Sequence, residues 1–575
     1  MLRQLADFAT ATFPDLEPGF GPVLMQWRIR LPRDMTGTWL IEPFGEKGHL
    51  HSAAPVYPSN LMQSGGKSHF LIDELRTSVL LLDKKDDAQK YEEKHRFFVD
   101  ILRSASSCYP DLSVLADWLS SSVALEEMCQ WLRTRGASSA DRAVFWIEGE
   151  DPSISDECKH WWRSYRAKLL SGSTPNGQGM VCLLTGEDVV PAKTHDKVTG
   201  LKRFGGRGQD IVVGYDKPAF TSYGLDQSEN GAMSEHMAKA YVQGLDYLVQ
   251  KQRRDIGNAA VVYWFKEHLP PEDDPFAMLY GMATDEQQTV SALAQARKLL
   301  GAIRSGERSM LGDNHYYALT LSGASGRVMV RDWMEGQFAQ LVANVEAWFA
   351  DLAIVHREGG DRFAPDPKFL AVGGALVRDL KDLPPATTSV LWRAAVVQLP
   401  IPQPLMAQAL GRFRSALVKD ETFNHARMGL IKAYFVRKPL GKGHMKPYLN
   451  PDHPDPAYHC GRLLAILAKL QHSALGDVGA GVVQRFYSAA STAPGLTMGR
   501  LVGNSRNHLG KLGGGLAYWY EQQIADVMGR LGDKFPRTLD LEGQGLFALG
   551  YYQQLAALRP PKKNGKDNNE DGEPA

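Results

Sequence analysis

The chain lacks an excess of either charge: Lys and Arg together number 65, and so do Asp and Glu. A free-standing nucleic-acid binder draws much of its affinity from phosphate contacts and carries a basic excess. Neutrality argues against a simple DNA-coating protein. It fits a body that docks to something else and exposes local basic patches. Cysteine is scarce. Cys108, Cys129, Cys158, Cys182 and Cys460 lie far apart, with no CxxC pair, so reduced, mostly buried thiols are expected rather than a disulfide framework. No apolar run is long enough to span a bilayer, and the opening MLRQLADFATATFPDLEPG has neither a signal-peptide core nor a small-residue cleavage site. A cytosolic protein with no membrane contact is expected.

Catalytic signatures are missing too. There is no GxSxG elbow, and LKRFGGRGQD lacks the GK[ST] ending of a phosphate loop. No nucleophile, base and oxyanion donor can be assembled, so no catalytic residue and no cofactor is expected. Two segments hold metal-ligand residue types: His49 and His51 in GHLH, and Asp452, His453, Asp455, His459 and Cys460 in PDHPDPAYHC. The first pair fits one face of a strand. Prolines break the second, and no further ligand pair follows at helical spacing. A Pro-rich loop entering a helix is the better reading, and no metal site is expected.

With 575 residues, 43% of them hydrophobic, the chain is long enough for two to four globular domains. QWRIRLP and TWLIEP read as strands, and FLIDELRTSVLLL as strand or helix. From Lys84 to Leu132 the apolar spacing is helical, DRAVFWIEGE is a strand with a turn, and HWWRSYRAKLL is a helix. GMVCLLTGEDVV predicts strand–turn–strand, GQDIVVGYD a strand, and SEHMAKAYVQGLDYLVQKQ a helix capped by Ser234. NAAVVYWFKE predicts a buried strand and HYYALTLSGASGRVMVRDWM a hairpin. From about Thr387 onward nearly everything is helix. The fold class is α+β: a mixed, strand-rich N-terminal and central region, then a C-terminal helical bundle.

Two loops combine glycine, cations and polar side chains. One is Ser64, Gly65, Gly66, Lys67 with His69 close by. The other places Lys197, Lys202, Arg203 and Arg207 among Gly200, Gly205, Gly206 and Gly208, beside Gln209. Glycine lets a backbone approach a polyanion, cations attract phosphate, and glutamine can bond base edges. The bland alternative is a pair of exposed turns with solubilising charge.

In these surroundings the residues resemble a known family. CLLTGE, HDKVTGL, VVGYDKPAFTSYGLDQSENGAMSE, VVYWFKE, LTLSGASGRVMVRDWM, YHCGRLLAILAKLQ, VVQRFYSAASTAPG and GQGLFALGYYQQ occur in order. They are similar to the large subunit of type I-C CRISPR surveillance complexes, the Csd family. Earlier in the chain the likeness rests on SGGKSHFLIDE and VFWIEGEDPSISDECKHWW. The sequence departs from that family in its glycine-rich loop, GGRGQD, where a Gly-Ala-Gln-Ser-Ser-Gly type run is expected.

The resemblance implies a non-catalytic subunit. Its partners would be CRISPR RNA, target double-stranded DNA and the displaced single strand. They would also include the backbone, crRNA-processing and small subunits, and a helicase–nuclease recruited in trans. Guide pairing reads sequence in such complexes, while protein reads a short flanking motif, the PAM. The two glycine-rich loops, lying together, are the expected PAM contacts, with Asn230 before a helix N-terminus as a further candidate. Arg462, Lys469, Arg485, Arg500, Arg506 and Lys511 are expected to form a basic strip for the displaced strand. The expected domains are 1–170, mixed α/β; 171–385, central α+β with the DNA-facing loop; 386–444, a helical connector; 445–560, a bundle resembling the small subunit; and 561–575, a disordered tail. Met445, in a Gly/Pro-rich break just after Lys442-Gly443, is a candidate internal start for a separate copy of that bundle. Two rival readings are a nuclease or hydrolase with scattered acidic residues, and a pure scaffold.

Overall fold

The computed structural model describes residues 1–575 except 14–15, 63–64, 172–178, 257, 282–290, 360–361, 420–423, 439–443, 479, 534 and 560–575. Ser64, Lys442-Gly443 and the expected tail 561–575 therefore lie outside the described residues. The fold is mixed α+β, with small sheets and many helices. The chain divides into two compact units. One comprises Met1–Gln252 with Gly323–Met329, the other Arg253–Ser322 with Val330–Ala575. The division thus falls inside the stretch 171–385, not at its ends.

In the first unit, QWRIRLP and TWLIEP form the strands Trp27–Leu31 and Leu40–Pro43, as their short apolar runs between turn residues predict. The DRAVFWIEGE strand, Arg142–Ile147, runs parallel beside Trp27–Leu31, and Asp73–Glu74 closes the other edge. The ambiguous FLIDELRTSVLLL is part strand and part helix. The buried Asp73 carboxylate accepts the backbone N–H groups of His69 and Glu74, which bends the chain into the short helix Leu75–Ser78. Helices Ala88–Ala105, Asp111–Ser120 and Ser122–Thr134 cover the sheet with apolar faces. Helix Glu235–Tyr247 begins at Ser234, whose hydroxyl accepts the Met237 N–H.

The GQDIVVGYD segment is less regular than its composition predicts. Only Gln209–Asp210 is strand, paired with Val198–Thr199. Ile211 then bonds elsewhere: its N–H donates to Gly326 O, and its carbonyl accepts from Val328 N.

A four-stranded sheet runs in the order Arg254–Ile256, Ala259–Phe265, His315–Ala324, Arg327–Gln337, and all of it except residues 323–329 belongs to the second unit. The AAVVYWF strand is buried through Trp264, so it reads as a continuous apolar run rather than an alternating one. A single cluster of buried side chains extends from Ile256 to Leu558. Met445 packs against that cluster.

The PDHPDPAYHC segment is a structural turn. Asp455 caps helix Pro456–Leu475 by accepting the Ala457 N–H, and His453 Nδ1 accepts the Asp455 N–H at 3.1 Å. His459 Nε2 bonds the His453 carbonyl at 2.7 Å. Burial, with smaller contributions from neighbouring histidines, pushes the His453 pKa down to about 4. An unfolded histidine titrates near ~6.5. Between these values the unfolded chain binds a proton that the folded chain refuses, so stability falls as pH drops through this window. At pH ~5 the loss from His453 should reach about 2 kcal/mol. Urea midpoints at pH 7 and pH 5 measure it. His453→Gln, which keeps an acceptor and cannot titrate, should show the smaller difference.

Candidate nucleic-acid interface

The 200–211 loop is built around one carboxylate. Asp210 is fully buried, and its oxygens accept the N–H groups of Arg207 at 2.9 Å and Gly208 at 3.2 Å. A short 3-10 turn, Lys202–Phe204, ends at Gly205 in a left-handed conformation. A β-carbon on Gly205 would lie 2.8 Å from Gly323 O, and one on Gly206 would collide with the Asp210 carboxylate. Much of the glycine content therefore answers to the loop's own packing against the 323–328 turn. What remains outward is polar: Lys202, Arg203, Arg207 and Gln209 are all exposed. The Arg207 side chain runs along Gly326, where an added β-carbon would sit 3.4 Å from its Cδ. Thr199, at the base, donates through N–H and hydroxyl to Asp246 of the Glu235–Tyr247 helix, at 2.6 and 2.8 Å.

Beside this loop lies a cleft of about 630 Å³, lined among others by Lys193, His195, Lys197, Gln209, Tyr215 and Gln227. His195 is buried, and its Nδ1 is 2.7 Å from the Tyr241 hydroxyl. Burial holds its pKa below the ordinary histidine value, so the ring is neutral and offers one donor and one acceptor. Nδ1 is occupied, while Nε2 has no partner among the described residues; neither has Oε1 of Gln227. Unpaired buried polar atoms cost ~1–3 kcal/mol each. Neither His195 nor Gln227 stands out in the sequence. The available signal was KTHDK, a polar run inside a strand-rich region. Asn230 is half-buried close by, and its Nδ2 donates to Gln227 O at 3.1 Å. It thus helps shape the turn that carries Gln227, whose φ is positive.

The 65–69 loop is held by other neighbours. Gly65 and Gly66 have left-handed φ values. Lys67 Nζ sits 4.3 Å from the centre of the Phe97 ring, a cation–π contact. His69 Nδ1 accepts the Tyr57 N–H at 3.0 Å, and its own N–H donates to Asp73. Burial depresses the His69 pKa, and Asp73 partly offsets that. The expected DNA contacts Lys67 and His69 are thus engaged in the fold of their own loop.

On the bundle, Arg485, Arg500, Arg506 and Lys511 are exposed, and Lys469 is half-buried. Arg462 is a correction. Its side chain is 3% exposed, with Nε donating to Gln554 at 2.9 Å and Nη2 to Asp526 at 3.2 Å. Helices pack around the first half of Pro456–Leu475, so the Arg462 guanidinium is covered.

Among the described residues no group of three His, Cys, Asp or Glu side chains is placed to hold a metal ion. None of the helices there is long and apolar enough to cross a membrane. No curated protein matches the chain. A family model does, that of CRISPR-associated protein (Cas_Csd1), over residues 14–559. With nearly the whole length matched, the chain belongs to the Csd1 family of CRISPR-associated proteins.

Proposed function

We propose that this chain is the non-catalytic large subunit of a type I-C RNA-guided complex, reading the PAM beside a DNA target. It aids duplex opening, holds the displaced strand on its C-terminal helices and recruits a helicase–nuclease in trans. The observation that carries the reading is the loop pinned on Asp210. It presents Lys202, Arg207 and Gln209 to solvent beside a cleft that Lys193 and Lys197 also line. A rigid loop with outward cations and an amide suits a duplex edge: the cations fix position on phosphate, and the amide discriminates bases.

The test is target binding by complexes assembled with Arg207→Ala or Gln209→Ala, measured over targets with varied flanking motifs. Each should lose about 10- to 100-fold on the preferred motif, and Gln209→Ala should also narrow the gap between motifs. Unchanged affinity and unchanged preference in both variants would overturn the reading. The bundle makes a separate prediction. Neutralising Arg485, Arg506 and Lys511 together should shorten R-loop lifetime more than it slows initial recognition, with a shallower salt dependence. Equal loss at both stages counts against a role in holding the displaced strand.

A further inference from the structure

Between Asp477 and Glu521 the sequence contains no acidic residue, although acids and bases balance over the whole chain. The same stretch contains Arg485, Arg500, Arg506 and Lys511. It forms helices Val482–Thr492 and Pro494–Leu509 and the opening turns of Gly514–Leu531. Arg506 lies in the last turn of the middle helix, Lys511 in the connection, and Tyr518 and Trp519 in the first two turns of the next. The connection between these two helices is therefore flanked in sequence by two cations and two aromatic rings.

Those rings are unusually open: Tyr518 is 63% and Trp519 41% exposed. Trp519 is propped from behind, with its ring centre 4.8 Å from that of the buried Tyr520, edge to face. Tyr520 in turn bonds Ser473 through its hydroxyl at 2.8 Å. Ahead of them, Gly513, Gly514 and Gly515 have no left-handed φ, and a β-carbon on any of them would meet nothing. The fold does not require glycine there, and the run leaves the approach to the rings clear.

We infer that Tyr518 and Trp519 are a base-stacking platform for single-stranded nucleic acid, with Arg506 and Lys511 holding the phosphates on either side. Every base has a π-face, so such a platform grips a strand without reading its sequence. A stretch that carries cations and no carboxylate suits a polyanion, although exposed Glu521 stands one helical turn beyond Tyr518. A protein partner covering an apolar patch would not require that absence. In a duplex the bases are stacked on one another and unavailable to the rings. This inference rests on the proposed role of the bundle in holding the displaced strand. It adds that the strand is gripped through its bases as well as its phosphates.

Two labelled oligomers of equal length, one oligothymidine and one abasic, separate the two contributions when titrated against the full chain. The Tyr518→Ala/Trp519→Ala variant should bind oligothymidine about tenfold or more weakly and bind the abasic strand as the parent does. Tyr518→Phe/Trp519→Phe should restore oligothymidine binding. Arg506→Ala/Lys511→Ala should weaken both ligands. Unchanged oligothymidine affinity in the alanine variant overturns the platform, as does an equal loss on the abasic strand. A changed sedimentation coefficient with oligothymidine binding intact also overturns it, and marks the rings as a protein interface. If the parent binds neither oligomer, the platform fails together with the strand-holding role. If it binds both, and only the cation variant matters, strand holding survives and the platform does not.

Discussion

Gly461→Ala and Gly550→Ala should each cost about 3 kcal/mol or more, seen as a loss of roughly 5 °C in the melting of the second unit. The two glycines face each other across the tightest helix pair of that unit, Pro456–Leu475 against Leu541–Ala557. A β-carbon on Gly461 would fall inside the Phe547 carbonyl oxygen, and one on Gly550 inside the Tyr458 carbonyl oxygen. These are backbone atoms of buried helices and cannot swing aside as a side-chain tip would. Relief requires the helices to part, which opens gaps around fully buried Leu463, Leu464 and Phe547. The control has the opposite sign. Gly503 lies on an exposed helical turn where an added β-carbon meets nothing. Gly503→Ala should stabilise by about 1 kcal/mol, because alanine has the higher helix propensity. Circular dichroism melts of the three variants decide it. Similar behaviour of Gly461→Ala and Gly503→Ala would mean that the close crossing is not what the glycine serves.

Much of this fold is legible before any coordinates. Helical spacing marks the C-terminal helices, and the AAVVYWF run marks a buried strand. Ser234 marks the start of its helix, and the hairpin at 315–337 follows from its turn residues. Less legible is anything decided by a partner distant in sequence. GQDIVVGYD has strand composition, yet Ile211 bonds to Gly326 and Val328, and no local pattern announces a neighbour so far along the chain. The glycine-rich loop shows the same limit. Its composition suggests approach to a polyanion, whereas Gly205 and Gly206 are demanded by Gly323 and Asp210. The cations around them keep their outward position, so that part of the candidate site was visible from sequence. His195 and Gln227 were not, because an unpartnered atom is a property of packing. The division at residue 252 was hidden for a related reason: the hairpin turn 323–329 belongs with the first unit while its flanking strands belong with the second.

Arg462 is the position where the pattern misleads most, and its replacement should show it. Arg462 and Lys469 stand seven residues apart, so both fall on one face of a helix, and that face reads as polar. In the fold, residues from Ala457 through Leu467 are all buried, and the guanidinium is an internal connector. It donates to Gln554 at 2.9 Å, approaches His459 Nδ1 at 3.1 Å and reaches Asp526 at 3.2 Å. Burial pulls its pKa below the ordinary arginine value, and Asp526 works in the opposite direction. Arg462→Ala should therefore destabilise the second unit by about 3 kcal/mol, at the lower end for a broken buried pair because Asp526 is half-exposed and can rehydrate. Arg462→Lys should recover little, since an ammonium cannot span three partners held by a planar fork. Arg506→Ala should change stability by no more than about 0.5 kcal/mol, as expected for an exposed side chain. Single-strand binding reverses the order. Below the melting transition Arg462→Ala should bind like the parent, while Arg506→Ala should bind more weakly. Weakened binding by a fully folded Arg462→Ala would restore this residue to the strand-contacting surface, and the buried network could not account for it.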